Sequence, residues 1–71
     1  EDTRAHPTTI TTIDTRQYTA EEATVANARN RQQRAEDLYR YGRYGFTVVS
    51  TIVIPLHDGI TIVDTLVRAE D

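Results

Sequence analysis

Cysteine, tryptophan, methionine and lysine are all missing from this 71-residue chain, which also has only three glycines and two prolines. Without cysteine there are no disulfides and no thiolate metal sites. Two histidines, His6 and His57, are too few to hold zinc without carboxylate help. No run of about 18 apolar residues occurs, so no spanning helix is expected, and no secretory h-region is expected either. The expected compartment is the cytoplasm, with no membrane partner. The first residue is Glu1 rather than methionine, which suggests an excised or processed start or a fragment. All eight basic residues are arginine, a bias that GC-rich coding produces as readily as function does.

At 71 residues and 38% apolar content, the chain is one domain near the lower size limit for a single hydrophobic core. Small domains of this kind add a disulfide, a metal or a partner subunit. With the first two removed by composition, oligomerisation is the expected staple. The net charge of −3 is segregated. Residues 1–28 carry five acids against two arginines (−3), 29–43 five arginines against two acids (+3), and 44–71 four acids against one arginine (−3). Such blocks suit an anionic ligand or the association of unlike regions.

Residues 1–7 read as a flexible terminus and 8–71 as a single domain. Thr8–Asp14 (TTITTID) is β-branched nearly throughout and predicts an edge strand, with Ile10 and Ile13 on opposite faces. Thr19-Ala-Glu-Glu22 fits a capping box, and good helix formers run from Ala20 to Tyr41. The wheel of that helix puts Val25, Ala28, Ala35 and Tyr39 on one stripe, with Thr24 and Gln32 inside it and Leu38 at its margin. Gly42 and Gly45 mark the helix exit, beside a cluster of Tyr39, Tyr41 and Tyr44.

The remainder, Phe46–Arg68, is two apolar runs joined at Asp58-Gly59, which predicts a type I′ hairpin with strands at about 46–54 and 60–68. With Asp58-Gly59 as the loop, Val53 faces Asp64 and Ile52 faces Thr65. One face then gathers Val48, Ile52, Ile54, Leu56, Val63 and Val67, and reads as core beneath the helix. The other gathers Val49, Val53, Ile60, Ile62 and Leu66, and reads as an exposed oligomer interface. Pro55 cannot donate to a ladder, so its nitrogen should face away from the partner strand or sit at a bulge.

No nucleophile–base pair, phosphate loop or metal cluster is visible, so enzymatic activity, a cofactor and a metal are not expected. Arg29, Arg31, Arg34, Arg40 and Arg43, with Tyr41 and Tyr44, are the candidate partner or anion-binding residues. They also admit nucleic-acid binding, since Asn27, Asn30, Gln32 and Gln33 interleave with them. Against that, the arginines fall on two flanks of the helix, and the chain is acidic overall.

The corner Leu38-Tyr-Arg-Tyr-Gly42-Arg-Tyr-Gly45-Phe46-Thr-Val-Val-Ser50 resembles that of a small bacterial and phage domain of unknown function. That family has strand, helix and hairpin in order, with Gly-x-x-Gly-Trp at the corner, where Phe46 stands for Trp. The resemblance implies a β-α-β-β fold and supplies no activity. The expectation is therefore a small α+β domain, one long helix on an antiparallel hairpin sheet, acting as a non-enzymatic homo-oligomeric binding or regulatory module with protein as its main partner. Nucleic-acid binding and capture of an anionic metabolite or nucleotide at an oligomer junction are the alternatives.

Overall fold

The computed structural model describes residues 8–70; the expected flexible terminus, 1–7, lies outside them. β1 spans Thr8–Tyr18, α1 Thr24–Arg43, β2 Thr47–Leu56 and β3 Gly59–Ala69, and a 3-10 turn at Glu21–Ala23 leads into the helix. The strands form one antiparallel sheet in the order β1-β3-β2, with β3 central. This is the expected α+β arrangement of strand, helix and hairpin.

Three local features differ from the sequence reading. Thr19 does not cap the helix: its amide and hydroxyl both donate to the Asp58 carbonyl (3.0 and 3.4 Å), tying the end of β1 to the hairpin turn. At the other end Gly42 stays inside the last turn, and Gly45 takes the left-handed position at φ 89°. Phe46 N–H donates to the Tyr41 carbonyl (3.1 Å) and Gly45 N–H to the Gly42 carbonyl (3.0 Å), which is a Schellman closure. The Phe46 and Tyr41 rings supply its hydrophobic contact, edge to face at 5.3 Å.

The hairpin register is two residues away from the expected one. Leu56 pairs with Gly59, so His57 and Asp58 form the loop, and both keep negative φ, which excludes a type I′ turn. Val53 therefore faces Ile62, Ile52 faces Val63, and Thr51 faces Asp64. Gly59 also lies opposite Tyr18 of β1. A Cβ there would run into the Gln17 carbonyl and stand 2.9 Å from Tyr18 Cα, so the close approach of β1 requires glycine. A bulge at Val49 shifts the pairing between Val48 and Ser50.

A shift of two leaves the side-chain faces unchanged from Ser50 onward, the bulge turns Val48 to the side of Leu66, and the helix lies along β1 on the face expected to be bare. Its sheet-side residues are Asn27, Asn30 and Arg34, and beneath it lie Ile13, Thr15, Asp64 and Leu66, the buried side chains. Leu66, expected at an interface, is 1% exposed and is the innermost apolar residue. The expected stripe of α1 points outward instead, with Val25 67% and Tyr39 70% exposed, and Ala28 and Ala35 also exposed. The physical reason is Asp64. A carboxylate in mid-strand cannot be buried without a cationic partner, and Arg34 is on the polar side of the helix.

Candidate functional site

The sheet has two edges, and the fold treats them differently. Along β1, Asn27 acts as a substitute strand: its Oδ1 accepts from Tyr18 N–H (2.8 Å) and its Nδ2 donates to the Tyr18 carbonyl (2.8 Å). Two residues further along, Asn30 Nδ2 donates to the Arg16 carbonyl (3.1 Å), and Gln17 Nε2 bonds both that carbonyl and that of Asn27. Residues 16 and 18 face the same way along a strand, so the helix covers the Arg16–Tyr18 end of this edge with amide side chains.

No such cover exists along β2 among the described residues. All ten of its residues, Thr47–Leu56, are exposed. Val53 (56%), Val48 and Val49 stand on or beside the helix face, and Ile52 (52%), Ile54 and Leu56 on the opposite face, where Ile10 of β1 is also exposed. No charged residue occurs in the strand. Both sides of an edge strand being apolar and wet is the pattern that natural sheets normally suppress.

Behind the surface, the centre is polar. Asp64 receives Nε of Arg34 at 2.7 Å and Nη2 at 3.0 Å, a bidentate pair, and the Thr51 hydroxyl at 2.7 Å. The hydrogen bonds from Arg34 hold the Asp64 carboxyl below the usual carboxylate range against the opposing effect of burial, with help from Thr51. Reciprocally, the Asp64 hydrogen bond raises Arg34 above its ordinary value. At the far end of the sheet, the Thr9 hydroxyl and then Arg68 lower Glu70.

Of the arginines singled out in the sequence, Arg40 and Arg43 come together, beside Tyr44, and the others are spread along the helix. Arg34 is committed to Asp64, Arg31 donates to Gln17 Oε1 (2.9 Å), and Arg40 pairs with Asp37 (2.9 Å). Arg43 stands 6.0 Å over the Tyr39 ring. Arg29 is exposed, with no ion pair among the described residues. Tyr41 packs on Phe46, whereas Tyr44 is exposed and lines a shallow recess with Arg40 and Arg43. A second small cleft, about 170 Å³, runs between β1 and α1 from Asp14 and Arg16 to Arg34 and Asp37. Of the expected interface residues, Val49 and Val53 are exposed, Ile60 and Ile62 are half-buried, and Leu66 is buried.

Sequence reasoning missed Ile52, Ile54 and Leu56 as surface residues, because the helix was expected on their side. The misleading signal was Asp64, whose burial reverses the assignment. No family model matches this sequence, and no curated protein or solved structure matches it either.

Proposed function

We propose that the chain is a non-enzymatic binding or regulatory module of the cytoplasm that works as a homo-oligomer through protein–protein contacts. One observation carries the reading: β2 is exposed over its whole length and apolar on both sides. Overall dimensions support it. The radius of gyration is 15.6 Å and the extents are 58 × 24 × 10 Å, whereas a compact chain of this length has a radius of about 11 Å. The accessible surface is 5468 Å², against about 4,500 Å² for a folded monomer of this mass.

Ile13 and Leu66 are the buried apolar side chains among the described residues, far too little burial to offset the entropy of ordering the chain. A second chain on the sheet supplies the missing contact. Most of the α1 arginines are engaged within the chain, so the reading rests on the sheet rather than on them.

Light scattering on the eluting protein at micromolar concentration tests this. A dimer or larger species is expected, and a stable folded monomer overturns the proposal. Val53→Asp places a charge in the exposed strand and should weaken association on the order of 100-fold, while Thr51→Ser should change it little. Anisotropy titrations on duplex and single-stranded DNA at low salt should show no binding; salt-sensitive binding would instead move the function to the arginines.

A further inference from the structure

We infer that the free edge of β2 pairs antiparallel with β2 of a second copy, across a two-fold axis centred on Ile52, to make one continuous sheet. The inference rests on the self-association proposed above and specifies its surface and geometry. It starts from which main-chain groups face outward. Tyr18 turns its N–H and carbonyl away from the sheet, toward Asn27. Its partner Gly59 therefore turns its own toward β2, and Leu56 bonds to it. By alternation Pro55, Val53 and Thr51 turn theirs to the open edge. That is also the orientation Pro55 needs, since it has no N–H to give β3.

Three registers put outward-facing residues opposite each other near the middle of the strand. Centring on Val53 sets Pro55 against Thr51 and forfeits a donor at each end. Centring on Thr51 sets Val53 against the bulge at Val49. Centring on Ile52 sets Thr51 against Val53 twice, and each of those pairs can exchange both N–H···O bonds. It leaves only Pro55 at the bulge, where regular pairing has ended in any case. Ile52 then meets its symmetry mate as a non-hydrogen-bonded pair, Cα atoms about 4.5 Å apart.

The occupant is a second copy because the strand is self-complementary. Thr47–Leu56 carries no charge, so antiparallel self-pairing opposes no like charges. It joins Ile52, Ile54 and Leu56 of both chains into one apolar surface.

The chain lacks cysteine, so a single introduced thiol reports geometry without interference. Ile52→Cys should oxidise almost completely to a covalent dimer, because a non-hydrogen-bonded antiparallel pair meets the distance a disulfide requires. Val25→Cys, on the outer face of α1, should stay monomeric on the same gel. Should Ile52→Cys fail to fold, amide exchange of the unmodified chain reads the same edge. The Thr51 and Val53 amides should exchange more than about tenfold slower when the protein is concentrated than when it is diluted. A chain that remains dimeric by light scattering, yet leaves a folded Ile52→Cys unlinked or the Val53 amide unprotected, overturns this edge geometry while self-association stands. A folded monomer overturns both.

Discussion

At the scale of single residues, Asp64 is the position on which the interior depends. Arg34→Ala would leave its carboxylate buried without a cation, and should destabilise the fold by about 3 kcal/mol in thermal or urea unfolding at fixed protein concentration. The same pair sets an acid limit. The folded-state pKa of Asp64 is depressed, so its stabilisation is complete above the unfolded value, about 3.9. It is lost as pH falls from there through the lower folded value. Unfolding midpoints followed from pH 6 downward should fall in that window, and Asp64→Asn should flatten the dependence while lowering stability throughout. Gly59→Ala should also be severe, on the order of 3 kcal/mol, because the obstacle is the backbone of β1 rather than a movable side chain. An aspartate in the middle of an apolar run was visible in the sequence. Its partner, thirty positions earlier in a row of arginines, was not, because hydrophobic periodicity carries no information about which cation reaches which acid.

At the scale of elements, the order, the helix and the two-stranded hairpin were all legible, since a long run of helix formers, the glycines at the helix exit and a turn near Asp58-Gly59 between two apolar runs are local signals. The docking of the helix was not. Its wheel identified an apolar stripe at Val25, Ala28, Ala35 and Tyr39, but α1 meets the sheet through Asn27, Asn30 and Arg34. Burial of apolar surface usually decides which side of a helix faces inward. Here the open groups of β1 and the charge of Asp64 outweigh a stripe of which half is alanine. The consequence separates two variants that the sequence alone would equate. Leu66→Asp should abolish the folded circular dichroism signal, whereas Val53→Asp should preserve secondary structure and reduce only the association state. Asn27→Ala should lower stability by about 2 kcal/mol, since it strips both the Tyr18 amide and its carbonyl of partners.

At the scale of the whole molecule, the chain is a slab 10 Å thick in its shortest extent, little more than one sheet with a helix along one margin. The thinness follows from composition. With 38% apolar residues in the whole chain and those of the hairpin spread over both its faces, there is hydrophobic surface on two sides and too little helix to cover both. Pairing at β2 would turn two three-stranded sheets into one of six, lengthening the slab without thickening it. The face bearing Ile52, Ile54 and Leu56 would then present a doubled apolar surface, symmetric about the axis. A protein partner on that face should engage the dimer with one molecule per two chains, a stoichiometry that calorimetry reads directly.

The amide clasp of Asn27 and Asn30 on β1 acts as a chain stopper does in polymer chemistry. A sheet with two reactive edges is a bifunctional monomer and grows without limit; capping the Arg16–Tyr18 end of β1 leaves β2 as the more reactive edge and disfavours growth past a first coupling. Asn27→Leu should unblock that end of β1 and increase growth into long assemblies, visible as thioflavin fluorescence and under the electron microscope.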